Sequence, residues 1–268
     1  MFATRNSSLR KGAVLIAGGG VYSITAYLTY MYLYEPPPVN TASSGKGGER
    51  GCTSCVHNPM RTQQFENVAA CYDTSIGRDE FFMGINLLRR SLLYFHAKGT
   101  CLEVGAGTAR NVPYYPNETR VVLTDQSGQM LEQARNKVKG NQRFAIIQGD
   151  ATRLALPNQA FDTVVDTFGL CSYDDPVTVL REMVRVCKPN GKILLLEHGR
   201  SHSWQWVSDH LDKYADRHAS IWGCVWNRDL DELLHKVSDV MEIQVLHRWH
   251  FGTTYYIVCR PKSPPPST

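Results

Sequence analysis

Glycines and an acid follow a short apolar segment near the middle of this chain, in a pattern that suits the binding of a nucleotide. The stretch from Thr100 to Asn111 reads TCLEVGAGTARN, in which the apolar run ends at Gly105 and Gly107. Glycine lets the backbone approach a ligand closely. A dinucleotide fingerprint, G-x-G-x-x-G, needs glycine or alanine where this chain has Arg110. The turn therefore indicates a nucleotide site of another kind.

Three acids follow later apolar segments in order. Asp125, eighteen residues beyond Gly107, suits the hydroxyls of a ribose. Asp150, within Gly-Asp-Ala, can accept a hydrogen bond from an adenine amino group, and Asp166 ends the fourth segment. Each signal alone is weak, because a glycine turn is commonly structural and such an acid is often only a helix cap. The glycine turn and the three acids together make four signals in order at the ends of successive strands, and this combination indicates a binding site.

An alternation of strands and helices positions these residues. The predicted strands are Thr100–Val104, Arg120–Thr124, Arg143–Gln148, Thr163–Phe168, Lys192–Glu197, Met241–Trp249 and Tyr255–Arg260. The predicted helices are Gly128–Val138, Val177–Cys187 and Arg228–Val237. Alternation of this kind predicts a doubly wound α/β sheet with ligands outside the carboxyl ends of its strands. The last two strands are too close in sequence for a crossover helix, so we expect an antiparallel hairpin.

The chain begins with a segment typical of membrane anchors. Gly12–Tyr34 is 23 residues long without a charge, which is enough for one transmembrane helix, whereas the apolar core of a cleaved signal peptide is shorter. Residues 1–11 are basic and free of acids, like a mitochondrial presequence. We expect a flexible linker at 35–59, a folded domain at 60–262 and a disordered tail at 263–268. The basic flank predicts a single span in the mitochondrial inner membrane with the domain in the intermembrane space; the endoplasmic reticulum membrane is the alternative.

Composition and cysteine spacing limit the other classes of ligand. The net charge of +4, without a basic run, gives no strong signal for nucleic acid. Cys52 and Cys55 form a lone C-x-x-C without a second ligand pair, which leaves a disulfide or two ordinary thiols open. His198 and His202 have H-x-x-x-H spacing, but His198 ends a predicted strand, so the pair does not share a helix face. The sequence therefore predicts no metal site.

Taken together, the motifs resemble those of class I S-adenosylmethionine-dependent methyltransferases, over roughly residues 65 to 260. Glu103–Ala109 is similar to their first motif, E-x-G-x-G-x-G, with Ala109 at the last place. Asp125 matches the ribose acid of the family and Asp150 its adenine-facing acid. Cys187–Gly191 is similar to the L-x-P-G-G turn before strand five. The resemblance implies a Rossmann-like, seven-stranded, mostly parallel sheet that ends in an antiparallel hairpin.

Further motifs narrow the resemblance. Phe65–Asp73 is similar to F-x-x-x-A-x-x-Y-D of ubiquinone/menaquinone C-methyltransferases, in which the tyrosine borders the methionine end of the cofactor. Thr108–Asn111, Leu170–Ser172 and Glu197–His198 resemble membrane-anchored methyltransferase-like proteins, including thiol methyltransferases and a mitochondrial branch. The implied S-adenosylmethionine-binding residues are Tyr72, Glu103, Gly105, Gly107, Asn111, Asp125, Gln126, Asp150, Ala151 and Thr167.

Three side chains are candidates for a position near the transferred methyl group. His198 and Asp166 are the predicted catalytic residues, and Asp73 is a further candidate; each could instead serve as a cap or a hydrogen-bonding group. Cys171 invites comparison with cysteine nucleophiles, but the resembling subfamily implies that it packs. The tryptophan-rich segment 199–227 suits either a lid over an apolar ligand or an ordinary packed helix.

The expected function is methyl transfer from S-adenosylmethionine to a small, hydrophobic acceptor, quinone-like or a thiol. Protein partners are not specified by the sequence. The alternatives are an RNA or protein methyltransferase and a catalytically silent cofactor-binding assembly factor, because binding and turnover are separable. Enzymes that methylate base amines carry [DN]-P-P-[YF] after strand four, where this chain has Asp166-Thr-Phe-Gly169, which disfavours that class.

Overall fold

The structure is a computed structural model that describes residues 59–262, whose strands form a single seven-stranded sheet. The strands are β1 Thr100–Val104, β2 Arg120–Asp125, β3 Phe144–Gln148, β4 Phe161–Thr167, β5 Cys187–His198, β6 Met241–Trp249 and β7 Thr254–Pro261. Their order is β3-β2-β1-β4-β5-β7-β6. The order reverses direction at β1 and β4, and this is the place where an open α/β sheet binds its ligand.

The pairing of the strands confirms the predicted mixture of parallel and antiparallel neighbours. β1 to β5 are parallel, and Glu103 of β1 lies beside Leu123 of β2 and Val165 of β4. β7 is antiparallel to both β5 and β6. The predicted hairpin is therefore present, and β7 inserts between β5 and β6. The one clear difference is that β5 begins at Cys187 rather than Lys192, because Cys187 pairs with Phe161 ahead of a register shift.

Seven α-helices surround this sheet in the part of the chain that the structure describes. They are α1 Pro59–Val68, α2 Tyr72–Phe82, α3 Ile85–His96, α4 Gly128–Val138, α5 Pro176–Val186, α6 Gln205–Trp222 and α7 Leu230–Lys236. Side-chain caps begin three of them: the oxygens of Ser127, Asp175 and Asp229 accept bonds from backbone N–H groups of α4, α5 and α7. Gly223 ends α6 in the left-handed conformation, which glycine adopts at little cost.

Two apolar layers hold the helices against the sheet. One face of the sheet packs α5 and α7, through residues such as Leu180 and Leu233, and the other packs α3 and α4, through residues such as Leu92 and Ala134. A smaller cluster below α6 contains Cys171, Cys224, Val207, Leu211 and Trp226. Both faces of the central strands are therefore covered, and the buried acids Glu103 and Asp166 lie toward the carboxyl ends of β1 and β4.

Sequence patterns missed the helices before β1. α1 and α2 carry few of the signals that predict helices, and α2 has no buried residue. α3 does have an apolar face, with Ile85, Leu92 and Leu93 buried, and this periodicity is a helix signal that went unpredicted. The positions of these helices depend on contacts with the rest of the domain, such as the bond from the Gln64 side chain to the Ser220 carbonyl at 2.7 Å. The predicted span at Gly12–Tyr34 lies outside the described residues; within 59–262 no helix is both long and apolar enough to cross a membrane. The other predicted boundaries, including the start of the domain at residue 60, stay predictions.

Candidate active site

A cleft of about 580 Å³ opens at the carboxyl ends of β1 to β4. That volume lies within the range that small-molecule sites occupy. Nine of the ten residues predicted to bind the cofactor line it: Tyr72, Glu103, Gly105, Gly107, Asp125, Gln126, Asp150, Ala151 and Thr167. The sheet and the helix that begins at Tyr72 therefore bring together residues that are up to 95 positions apart in sequence.

The loop after β1 turns sharply beneath this cleft. Gly105 and Gly107 have φ of 60° and 53°, in the left-handed region that glycine adopts without strain. At Gly105 a Cβ atom would collide with the Tyr173 hydroxyl, whereas at Gly107 it would have open space. Ala109, which stands in place of the third glycine, also has a left-handed φ of 61° and is fully buried. The left-handed φ explains why glycine suits that place.

Asp125 fixes this loop from the end of β2. Its carboxylate accepts hydrogen bonds from the backbone N–H groups of Gly107 at 2.7 Å and Ser127 at 2.8 Å. Burial raises the pKa of Asp125, and these N–H groups act against that effect. The side chain therefore connects the glycine loop to the start of α4 while it lines the cleft.

Asp150 has a local role as well. Its carboxylate accepts bonds from the backbone N–H and the hydroxyl of Thr152, both at 2.8 Å, and so shapes the turn after β3. Asp150 also lines the cleft. Its predicted contact with the adenine amino group stays a prediction.

Asn111 is the predicted cofactor residue that is absent from the cleft lining; it is fully buried below the loop. Its amide nitrogen donates to Glu103 Oε1 at 3.0 Å and to the Thr167 hydroxyl at 2.9 Å. The other Glu103 oxygen accepts from the Tyr115 hydroxyl at 2.8 Å. Asn111 thus positions two cleft residues rather than facing the ligand itself.

Arg89 is the largest contributor to this network that sequence reasoning missed. It is buried on α3, and its guanidinium donates to Asn111 Oδ1 at 3.0 Å and to the Thr167 hydroxyl at 2.7 Å. It also pairs with Glu80 at 2.8 Å and lies over the Phe168 ring, 4.9 Å from its centroid. The sequence around Arg89 does not indicate a functional role for it, because an arginine on an amphipathic helix is common. Only the fold brings Arg89 to the cleft.

The placement of Asp73 differs from the expectation of a group near the methyl. Its carboxylate accepts from the Thr108 hydroxyl at 2.7 Å and pairs with Arg110 at 3.1 Å and with Lys137 at 2.5 Å. Burial alone raises the pKa of this carboxyl, but its bonds from Lys137 and Thr108 and the charges outweigh that effect and lower it. Asp73 therefore ties α2 to the glycine loop and to α4.

A second cavity of about 250 Å³ lies beside the cleft. The two cavities share Phe65, Tyr72, Phe168 and Ser172 as lining residues. α6 and the loop after it close the second cavity, with lining residues that include Leu211, His218, Trp222, Cys224 and Trp226. Its walls are mostly apolar and aromatic, which suits a small hydrophobic ligand.

The two predicted catalytic residues occupy different surroundings. His198, at the end of β5, lines the second cavity with its ring 5.3 Å from that of Phe168. Burial lowers the pKa of an imidazole, but the neighbouring Cys171 thiolate outweighs that effect and raises the pKa of His198.

Asp166 lines neither cavity among residues 59–262. It is fully buried against Tyr173 and Gly169, and burial raises its pKa well above the usual value. The structure therefore does not place Asp166 in the lining of either cavity, and its catalytic role stays a prediction.

The tryptophans of segment 199–227 divide between two environments. Trp222 and Trp226 line the second cavity, and the Trp226 ring stacks on His218 with centroids 3.9 Å apart. Trp204 and Trp206 are about half exposed and pack against Phe251. The C-terminal half of α6 and the loop that follows it therefore cover the cavity, while the N-terminal end faces solvent.

Comparison with known proteins supports the class that the cleft indicates. Residues 102–195 match the model of the methyltransferase domain family. A relative in Saccharomyces cerevisiae, the mitochondrial methyltransferase OMS1, is 35% identical over 223 residues, which are 75% of this chain and 46% of that protein. The ubiquinone/menaquinone biosynthesis C-methyltransferase UbiE of a Marinomonas species is 31% identical over 66% of this chain and 74% of its own length.

Solved structures share the fold at low sequence identity. DhpI in its complex with SAH superposes with a TM-score of 0.59 and 16% identity over 76% of this chain and 96% of that one. A SAM-dependent methyltransferase of Aquifex aeolicus superposes with a TM-score of 0.50 and 17% identity over 64% and 88%. These structures show the fold alone. The family is shown by the UbiE relative, 31% identical and covered over 74% of its length: the chain belongs to the S-adenosylmethionine-dependent methyltransferases, and S-adenosylmethionine is its cofactor. The chain spans about half the length of its yeast relative.

Proposed function

We propose that this chain transfers the methyl group of S-adenosylmethionine to a small, largely apolar acceptor, quinone-like or a thiol, that binds in the second cavity. The observation that carries the proposal is the contact between the two cavities. Phe65, Tyr72, Phe168 and Ser172 line both, so a cofactor in the cleft and an acceptor in the cavity would meet there. A polymer such as RNA needs a wide basic groove instead.

The reaction needs little chemistry from the protein itself. S-adenosylmethionine, when bound, supplies a reactive sulfonium methyl group. The protein must hold the acceptor in line with that methyl and keep water away. Trp222 and Trp226 serve the second purpose because they cover the cavity from α6. The cleft residues predicted from sequence hold the cofactor, and Asn111 acts by positioning Glu103 and Thr167.

The proposed location is the mitochondrial inner membrane, with a single span at Gly12–Tyr34 and the catalytic domain in the intermembrane space. The supporting observations are the uncharged segment, the basic residues before it and the similarity to a mitochondrial protein of yeast. Protease added to mitoplasts should degrade the C-terminal domain. A protected domain would place it in the matrix and overturn the orientation.

The activity is tested with the full-length chain in a mild non-ionic detergent. Calorimetry measures the binding of S-adenosylmethionine, and transfer of a radiolabelled methyl group is then screened on quinols, alkyl thiols and RNA. We expect binding, and transfer to one of the two small acceptor classes. Absence of binding would refute the enzyme, transfer to RNA alone would refute the acceptor class, and binding without any transfer would favour an assembly factor.

A further inference from the structure

Three side chains with metal-ligand atoms meet at one end of the second cavity. Cys171 follows β4, His198 ends β5 and Cys224 follows α6, and each of them lines that cavity. Their two sulfurs and the ring nitrogen lie within 4.8 Å of one another, and His198 Nε2 is 2.9 Å from Cys224 Sγ. The two thiols are buried and the imidazole is half-buried.

The three ligand atoms are close enough together to form a tetrahedral metal site after small side-chain shifts. Zn²⁺ binds thiolates at about 2.3 Å and imidazole at about 2.0–2.1 Å, so the ligand atoms of one site lie roughly 3.5–3.8 Å apart. The His198–Cys224 separation would have to lengthen by roughly half an ångström to fit this geometry. His198 and Cys224 both stand at the ends of their elements, where a side-chain shift of that size needs no change in the sheet.

The donor set also selects the kind of metal. Thiolate and imidazole ligands favour Zn²⁺ over the hard cations Mg²⁺ and Ca²⁺, which take oxygen ligands. Two thiolates neutralise the charge of a divalent ion, which reduces the cost of holding it among Phe168, Trp226 and Leu211. Two cysteines and one histidine make three protein ligands, and a zinc site with three protein ligands keeps its fourth position open for water or substrate.

We propose that Cys171, His198 and Cys224 bind Zn²⁺, with the open coordination position facing the second cavity. Sequence reasoning predicted no metal because it examined only closely spaced pairs. The three ligands are 27 and 26 residues apart, a spacing that has no recognisable pattern. The sheet brings two of them together, since β4 and β5 are parallel neighbours, and the turn after α6 adds the third.

A metal in this position would favour one of the two acceptor classes, a step that rests on the proposed function. A thiol that enters the cavity would coordinate the open position through sulfur and release its proton to water. A lone pair of that sulfur then forms the new S–CH₃ bond. The bond between the methyl and the cofactor sulfonium breaks, and its electron pair stays on the S-adenosylhomocysteine product. His198, bound to the metal, would be a ligand rather than a base.

The metal is tested by direct analysis of the full-length chain, purified under reducing conditions without a metal-affinity tag. Cys52 and Cys55 are replaced by alanine throughout, so that their C-x-x-C pair contributes no metal. After incubation with Zn²⁺ and gel filtration, elemental analysis should find about one zinc per chain. The Cys171→Ala and Cys224→Ala variants should each retain roughly tenfold less zinc per chain, or lower still. The matched control is Cys259→Ala, a buried cysteine of β7 that should retain the metal in full.

Two further measurements keep the test independent of folding defects and of the proposed function. Co²⁺ added to the unmutated site should give the intense thiolate-to-metal absorption of a tetrahedral complex, and this needs no variant. Calorimetry on the same samples should give S-adenosylmethionine affinities that change less than twofold in the cysteine variants, because their side chains do not line the cleft. Loss of zinc with retained cofactor binding then reports on the site alone.

The opposite results are equally clear. A chain that retains no zinc and gives no cobalt spectrum, while it binds S-adenosylmethionine and transfers methyl groups, would refute the metal site and leave the proposed function intact. A disulfide between Cys171 and Cys224 in the freshly purified reduced chain would also refute it. Stoichiometric zinc without methyl transfer to any acceptor would support the site and contradict the proposed function.

Discussion

Glu103→Gln should make the stability of this protein less dependent on pH. Glu103 is buried at the end of β1, and burial raises its pKa from the usual 4.5 to about 7, against the hydrogen bonds from Tyr115 and Asn111 and the charge of Arg89. Glutamine imitates the protonated acid. Its oxygen can accept from Asn111, and its amide can donate to the Tyr115 hydroxyl.

The sign follows from proton binding. Between pH 4.5 and 7 the folded chain holds a proton on Glu103 that the unfolded chain has lost, so the free energy of unfolding falls as the pH rises. The contribution is complete below the unfolded pKa and is lost as the pH passes the folded one. Each unit of pKa difference is worth about 1.4 kcal/mol, so the whole effect is about 3 kcal/mol, most of it between pH 5 and 8.

Urea unfolding of the full-length chain in detergent at pH 5 and pH 8 measures this effect. The parent protein should lose about 2–3 kcal/mol more than Glu103→Gln over that interval. Other buried carboxyls, such as Asp166 and Glu197, also make stability fall with pH, but they are present in both proteins. Only the part of the raised Asp166 pKa that the Glu103 charge causes differs between them, and it adds to the expected difference. Glu118→Gln, at an exposed glutamate, controls for the loss of one charge. Parallel pH profiles in the parent and Glu103→Gln would show that Glu103 does not titrate in this range.

Three further substitutions test the cleft, the network beneath it and the second cavity. Asp125→Ala should weaken S-adenosylmethionine binding by about 1–3 kcal/mol in calorimetry, because ribose hydroxyls and two backbone N–H groups lose their acceptor. Arg89→Met should lower the free energy of unfolding by about 1–3 kcal/mol, because buried Asn111 and Thr167 lose a donor and Glu80 keeps only Arg110 as its charged partner. The neighbouring exposed Arg90→Met should cost under about 0.5 kcal/mol. Trp222→Ala should raise the KM for the acceptor roughly tenfold through lost apolar contact, whereas the exposed Trp206→Ala should leave it unchanged.

Each of these has a result that would contradict it. Unchanged affinity in Asp125→Ala, with a normal melting curve, would remove that carboxylate from the cofactor site. Equal decreases in the free energy of unfolding in the two arginine variants would show that the buried network contributes no more to stability than an exposed arginine does. If Trp222→Ala altered the cofactor affinity and the acceptor KM together, the second cavity would not be a separate acceptor site.

The residues of the cofactor cleft could be predicted from the sequence because each of them stands in a short segment at the end of a strand. Gly105 and Gly107 stand in one loop, and Asp125 and Asp150 follow successive strands, so a predicted sheet is enough to align their ends. The second cavity could not be predicted in this way, because some of its walls come from helices whose sequences carry few helix signals. Phe65 and Tyr72 come from α1 and α2, which the sequence did not predict, and Trp222 comes from a segment that allowed two interpretations.

The sequence by itself determined the strands, the C-terminal hairpin and the glycine loop, because apolar periodicity and glycine turns are properties of short stretches. The cofactor followed from the resemblance of these motifs to those of a known family. Only the tertiary structure decided what lies beneath and beside the cofactor. Arg89 became the centre of a buried network, Asn111 bonds to Glu103 and Thr167 below the loop, and Asp73 joined an ion-pair cluster. Cys171, His198 and Cys224 became neighbours because parallel strands and a closing helix bring distant residues to one edge. Contacts between residues so far apart in sequence produce no periodic pattern from which they could be predicted.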